Sequence, residues 1–402
     1  MDYSAEEVKQ YILEEDVKFI RLAFCDVFGK QKNISVMPSE TDRAFRYGIA
    51  IDGSAVEGFG GITCSDLFLY PDSSTIAPLP WRPDHGKVIR MFCDIKYPDG
   101  RAFEGDTRTI LKRAVEEAKK EGVSFVFGSE MEFYLFKCDE NGNRTDEPYD
   151  SAGYMDIAPE DKGENVRREI CLTLEQMGIY PESSHHEEGP GQNEIDFKYS
   201  EPLSAADNAA TFRTVVRTVA ARNGLCADFS PKPINGKPGN GMHINFSVKK
   251  DGEEDVMSEA IAGIMSHIPE ITVFLNPCEK SYERLGCDKA PCYISWSEQN
   301  RSQLIRIPAA KGECRRAELR SPDPSANPYL VLALLIYSAL DGIKNKMKLM
   351  PPINENLYNT SDEEKLEIGK LPATFCEAKT VMMESEFVKG ILPEVIISEY
   401  AK

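Results

Sequence analysis

The sequence lacks a basic balance. Lys and Arg number 47 against 66 Asp and Glu, a net charge of −19 over 402 residues. With no global positive field, nucleic acid and anionic membrane surfaces are excluded as partners, whereas an anionic small substrate held by a few local arginines is not. CxxC pairs are also missing. The eleven cysteines are scattered and odd in number, so they cannot all pair internally. They read as core or incidental residues of a reducing, cytoplasmic compartment. The start, MDYSAEEVKQ, has no apolar stretch of a secretory leader. The longest apolar run, Tyr329 to Leu340, falls short of the ~20 residues that cross a bilayer and reads as a core helix. There is no internal repeat, low-complexity tract or like-charge block.

What is present is ordinary globular composition, 41% apolar and 28% charged, long enough for two or three domains and a large core. Ser4 and Glu7 form a capping box before a short amphipathic helix. VKFIRLAFCDVFGKQKNISV reads as two strands joined at Gly29. The segment to about Gly100 is a small, mostly β domain (1–100), and Pro98 to Asp106 is the linker to a larger domain (101–402). In the latter, helical patterns span Thr107–Glu121, Glu164–Met177, Ser204–Asn223, Asp255–His267 and Ala326–Lys348, and the end of the chain is helical by composition. Strand-like runs lie between them without regular βαβ alternation, which predicts an α+β fold.

Four strand-like runs carry polar stripes. Side chains two apart share one face of a strand. In GSEMEFYLF, Glu130 and Glu132 oppose Met131, Phe133 and Leu135. In NEIDFKY, Glu194 and Asp196 oppose Ile195 and Phe197. In GMHINFSV, His243, Asn245 and Ser247 oppose Met242, Ile244, Phe246 and Val248. In RRAELRSP, Arg316, Glu318 and Arg320 oppose Ala317 and Leu319. HHEEGPGQNE adds His185, His186 and Glu187. Each apolar back anchors its strand in a core, and the clustered carboxylates on the other side need cations. A plain solvent face is the competing reading for any single run.

Carboxylates with one imidazole suit hard divalent ions, Mg²⁺ or Mn²⁺, better than zinc. Glu130, Glu132, Glu187, Glu194, Glu318 and His243 suffice for two. Arginines crowd the same part of the chain: Arg284, Arg301, Arg306, Arg316 and Arg320. Two such ions beside arginines make up a phosphoryl-transfer site.

With these residues in view, the chain resembles the glutamine synthetase family, type I, of the shorter alpha subclass. The resemblance runs nearly end to end, through IDGSAVEGFGGITCSDLFLYPD, FEGDTRTILKR, GSEMEFYLF, HHEEGPGQNEIDF, SPKPINGKPGNGMHINFS, NRSQLIRIP, RAELRSPDPSANPYL and LDGIKNK. It implies a β-grasp N-terminal domain, a catalytic domain with an antiparallel sheet and surrounding helices, and a homo-oligomer. That oligomer is a hexameric ring, alone or stacked in pairs as a dodecamer, with active sites shared between neighbours. It implies that ATP phosphorylates the γ-carboxylate of glutamate and an amine then displaces phosphate. By motif, Glu132, Glu187 and Glu194 hold one metal, and Glu130, His243 and Glu318 the other. Arg284 and Arg320 bind glutamate with Gly239 beside it. Arg301, Arg306 and Arg316 meet phosphates. Glu182, Tyr199, Asn245 and Ser247 match nucleotide-contacting positions. Asp52, entering from a neighbouring subunit, binds ammonium and deprotonates it next to Tyr154. Tyr358 sits where some type I members are adenylylated, a regulation usually absent from the alpha subclass.

Three departures stand out. The family flap, usually RLVPGYEAP, reads RLGCDKAP, one residue shorter, with Lys289 before Ala290 and Pro291. A cation there weakens ammonium binding and suits an acceptor bearing an anion, such as an amino acid. Pro238 replaces the usual Asn beside the glutamate contact. The chain also ends roughly 40 residues short of the usual family length, which predicts weak ring stacking. The leading expectation is a glutamate–ammonia ligase. The alternatives are a γ-glutamyl ligase with another acceptor and a non-catalytic regulator that keeps the pocket.

Overall fold

The computed structural model describes the chain apart from residues 1–2, 61–64, 83–85, 253–254, 310–311, 313–314, 361–364 and 366. Part of the motif IDGSAVEGFGGITCSDLFLYPD therefore lies outside the described residues. Helix α1 (Ala5–Glu14) opens with the expected capping box, Ser4 and Glu7 bonding reciprocally. Strands β1 (Val17–Cys25) and β2 (Gln31–Val36) form an antiparallel hairpin. Its turn is tied by the Asp26 carboxylate, which accepts from the backbone N–H of Phe28 and Lys30, and it closes at Gly29 in the left-handed region, φ +78°. After α2 (Thr41–Tyr47) come β3 (Ile49–Asp52), β4 (Asp66–Pro71), β5 (Ala77–Pro78) and β6 (Lys87–Lys96). The sheet order is β2-β1-β6-β4-β3, with β5 on β6 and β6 parallel to β1.

Helix α3 (Thr107–Lys120) starts the second unit, capped by Asp106. A second sheet follows, built from β7 (Val123–Cys138), β8 (Arg144–Pro148), β9 (Pro181–His186), β10 (Gln192–Phe197), β11 (Leu225–Asp228), β12 (Met242–Lys250), β13 (Trp296–Glu298), β14 (Ile305–Ile307) and β15 (Ala317–Leu319). Its order is β13-β14-β15-β12-β7-β10-β9, with β8 and β11 also on β7. The helices around it are α4 (Glu164–Gln176), α5 (Pro202–Arg222), α6 (Met257–Leu275), α7 (Glu279–Arg284), α8 (Pro328–Lys344), α9 (Phe375–Glu384), α10 (Glu386–Ile391) and α11 (Glu394–Ala401). Helices and strands intermingle along the chain without regular βαβ units, and the second sheet is mostly antiparallel, an α+β fold as the irregular alternation predicts.

Buried Arg108 joins the two units. It reaches Asp72 at 2.9 Å and Asp94 at 3.0 Å in the first and Asp207 of α5 at 3.0 Å in the second. The pattern predicted over Asp255–His267 continues to Leu275, through Pro269. Packing decides this: Ile268, Ile271, Val273, Phe274 and Leu275 are all buried, and their burial outweighs the hydrogen bond that proline removes. α8, which holds the longest apolar run, packs on α6 as a core helix. A Cβ on Gly263 would meet Ser338 O at 2.2 Å, so only glycine admits this approach. No helix among the described residues is long and apolar enough to cross a membrane.

One expectation is corrected here. Cys138, ending β7, and Cys226, on β11, form a disulfide, so not every cysteine is core or incidental. They stand 88 residues apart, and only the antiparallel pairing of β11 on β7 brings them together. Cys25 and Cys93 are free and buried, as the core reading holds.

Candidate active site

Strand register assembles the polar stripes. On an antiparallel ladder, directly opposed residues point to the same face. His243 of β12 opposes Glu130 of β7. Glu194 and Asp196 of β10 oppose Glu132 and Glu130. Glu318 of β15 opposes both Asn245 of β12 and Arg306 of β14. On the reverse face Met131, Phe133, Leu135, Ile195, Ile244, Phe246 and Leu319 are all buried. A slip of one residue would exchange the two faces, so core burial fixes the acids toward one cavity.

One ligand atom from each of Glu130, His243 and Glu318 lies within 4.8 Å of the others, and the same holds for His185, Glu187 and Glu194; all of these but the fully buried Glu318 line the cavity. The first trio is the one the resemblance implies. The second keeps Glu187 and Glu194 but has His185 in the place expected of Glu132. His185 Nε2 is 3.1 Å from Glu187 Oε1. One Glu132 oxygen accepts from Gly241 N–H (2.8 Å) and Gln192 Nε2 (3.1 Å), and the other lies 4.0 Å from His243. Glu132 thus sits between the two clusters.

The charges are unevenly balanced. Burial pushes Glu194 up, and the charges of Glu132 and Asp196 add to this. Burial likewise raises Glu132, and it raises Asp196 to about 6 with help from the Glu130 charge. Against burial, His243 and Asn245 draw Glu130 down to about 2. Burial first and mutual repulsion second disfavour the charged forms of these acids, which a cation would relieve, and their hard oxygen donors match Mg²⁺ or Mn²⁺. Glu318, fully buried, accepts from Arg306 (2.7 Å) and Arg320 (2.6 Å) on its two oxygens.

The cavity encloses about 580 Å³, within the roughly 300–1,000 Å³ range of small-molecule sites. Glu130, Glu132, Glu187, Glu194, His243, Tyr154, Gly239, Arg284, Arg301, Arg306, Arg316 and Arg320 all line it. Arg284 is buried and anchored by the carbonyls of Ser321 and Arg320. At Gly239 a Cβ would stand 2.4 Å from Pro231 O and 2.9 Å from Arg284 Cγ, so only glycine lets the loop approach that arginine. Asn245 links the two halves, donating to Glu130 and accepting from Arg316 Nε, each at 2.8 Å.

Other expected residues are not brought together. Asp52 is exposed at the end of β3, caps its own turn through Ser54 N–H, and does not line the cavity of its own chain. Glu182 and Tyr199 are exposed and off the lining, and the Ser247 hydroxyl donates to Arg315 O. Three residues given no role from the sequence also line it: Asp196, His185 and Gln192. The first two were legible as members of polar stripes. Gln192, which also donates to Gly239 O at 3.0 Å, gives no sequence signal of its own. At the mouth, Lys289 pairs with Glu188 and lies 5.6 Å over the Tyr154 ring, while Asp288 pairs with Lys232 at 2.8 Å.

Comparison with known proteins identifies the family. Residues 104–402 match the glutamine synthetase catalytic domain, and residues 16–98 match the glutamine synthetase β-grasp domain. A glutamine synthetase of Clostridium saccharobutylicum is 44% identical, over 99% of this chain and 93% of that protein. One of Methanosarcina mazei is 46% identical over 98% and 92%. A GmaS/ADP complex superposes with a TM-score of 0.88 at 27% identity, over 100% of this chain and 94% of that one. A cryo-EM structure of Plasmodium falciparum glutamine synthetase shares the fold, with a TM-score of 0.87 at 24% identity over 100% and 95%. A β-grasp unit followed by a sheet that gathers acids and arginines into one cavity, with matches of this length, places the chain in the glutamine synthetase family.

Proposed function

We propose that the chain joins ammonia to the γ-carboxylate of glutamate at the expense of ATP, by way of γ-glutamyl phosphate. It is an ATP-dependent carbon–nitrogen ligase. What supports the reading is that five arginines and the acids and imidazoles of two clusters line one cavity, with only the buried Glu318 set behind its wall.

Glu130, His243 and Glu318 hold one divalent ion, Mg²⁺ or Mn²⁺, and Glu132, Glu187 and Glu194 hold the other, with His185 against Glu187. When bound, the ions neutralise and orient the phosphate oxygens of ATP. Arg284 and Arg320 grip the carboxylates of glutamate, with the Gly239 backbone beside them. Arg301, Arg306 and Arg316 hold the charge that develops as a γ-carboxylate oxygen attacks the terminal phosphorus and ADP leaves. Glu182, Tyr199, Asn245 and Ser247 flank the nucleotide side. In a ring of copies, the partner subunit's Asp52 binds ammonium beside Tyr154 and takes its proton. The neutral amine then attacks the acyl carbon and phosphate departs. The unit of 1–100 supplies the shared residue and the unit of 101–402 the chemistry. A cytoplasmic location fits a reaction that consumes ATP.

Lys289 bears on the acceptor. Its ammonium is matched by Glu188, so it offers no free cation to an anionic amine, and ammonia is the acceptor favoured. The test is γ-glutamyl hydroxamate formation from glutamate, ATP, Mg²⁺ and hydroxylamine, with ADP release measured for ammonia against a panel of amines and amino acids. Turnover with ammonia is expected. Release of ADP only with another amine would replace the acceptor, and ATP binding without hydroxamate would remove the catalytic reading.

A further inference from the structure

A second cavity, of about 680 Å³, lies where the β1–β2 turn meets α5 and the segment after β11. It is separate from the active cavity and shares none of its lining residues. Its walls carry an excess of cations in a chain that is acidic throughout. Arg213 and Arg217, one helical turn apart on α5, face it together, and Lys30 and Lys280 stand exposed at its edges.

Arg213 is only 8% exposed. Its hydrogen bonds go to main-chain carbonyls, those of Pro324 (3.0 Å), Ala326 (3.1 Å) and Gly29 (3.0 Å). Among the described residues no carboxylate forms an ion pair with it, and burial pushes its guanidinium down. Arg217 lies 5.1 Å over the Phe229 ring and likewise forms no ion pair there. The acid on this wall, Asp228, is already committed: Arg144 holds one oxygen at 3.0 Å and Ser230 the other. Four cations against the one carboxylate of Asp228 leave this lining net positive, and a concave, partly apolar wall focuses that field. Guanidinium forks match the paired oxygens of carboxylate and phosphate.

We propose that this cavity binds a small oxyanion carrying at least two negative charges, with the buried Arg213 at its floor and the exposed Arg217, Lys30 and Lys280 around it. A polycarboxylate and a phosphate group present the same oxygen forks, and the test separates them.

The test is isothermal titration of the metal-free full chain with citrate and, separately, with inorganic phosphate, at fixed ionic strength. The wild type is compared with Arg217→Glu/Lys280→Glu and with Arg306→Gln, which alters the active cavity. Both exchanged positions of the double variant are exposed, so its circular dichroism and its hydroxamate synthesis without added anion should stay at the wild-type level. Saturable uptake is expected for at least one probe, weakened roughly tenfold or more by the double variant and left within about twofold by Arg306→Gln. The neutral pair Arg217→Gln/Lys280→Gln should give an intermediate loss. Preference for citrate or for phosphate assigns the anion class. No saturable uptake by the wild type, or uptake lost in Arg306→Gln and intact in the double variant, would overturn the proposal. Neither result depends on whether the chain makes glutamine.

Discussion

His243 and Glu130 are direct partners across the β12–β7 ladder, with Nδ1 of one 3.4 Å from Oε2 of the other. Glu318 Oε1 stands 3.6 Å from the same nitrogen. Three donors from three strands converge on a point that no single strand supplies. If that point is a metal seat, Mg²⁺ or Mn²⁺ should raise the melting temperature of EDTA-treated protein, and His243→Asn should reduce the shift by at least half. Metal affinity itself should fall about 10–100-fold. An equal shift in wild type and variant would place the ion elsewhere.

The crowded acids predict an unusual pH dependence. Asp196 moves from 3.8 to about 6 in the folded chain, through burial first and the Glu130 charge second. A carboxyl raised on folding binds its proton more tightly in the folded state, so it lowers stability as pH climbs through that window. Metal-free protein should therefore lose up to about 2–3 kcal/mol from this group between about pH 4 and 6. The measurement is the difference in urea midpoint between wild type and Asp196→Asn at several pH values. The variant should gain on the wild type as pH rises, and a constant difference would refute the assignment.

Glu318 is also a structural counter-charge. Its two oxygens are occupied by Arg306 and Arg320, and it has no exposure to water. Glu318→Ala should cost about 3–5 kcal/mol in metal-free urea unfolding, because it strands guanidinium charge in a buried place. Glu318→Gln keeps an acceptor and should cost less. A loss below about 1 kcal/mol for the alanine variant would show that water reaches the gap.

Lys289 and Glu188 close one side of the cavity mouth. Both are partly exposed, which keeps their coupling modest. Removing the cation frees the Glu188 carboxylate at the mouth, so Lys289→Ala should lower KM for ammonium about two- to fivefold with kcat nearly unchanged. A raised KM in initial-rate kinetics would show that the pair orders the mouth and does not oppose ammonium.

Strand periodicity by itself sorted the functional face from the core. Glu130, Glu132, Glu194, His243 and Glu318 alternate with apolar neighbours, and a strand allows them one side only. The capping box at Ser4 and the turn at Gly29 were equally legible, because each depends on residues within four positions of one another. The closeness of His185 to Glu187 and Glu194 was not, because the spacing of ligand atoms depends on side-chain direction across β9 and β10.

Local chemistry in the chain thus determined the element types, the inward acids and the hard-ion character of the site. Tertiary structure alone decided what long loops bring together. The Cys138–Cys226 bond closes over 88 residues, Lys289 meets Glu188 across 101, and Arg213 reaches Gly29 across 184. At such separations, contact is set by how the sheets and helices pack and not by any preference of the residues themselves. Pro269 inside α6 shows the same ordering of forces, since the burial of one helix face overrode a breaker that local rules place at its end.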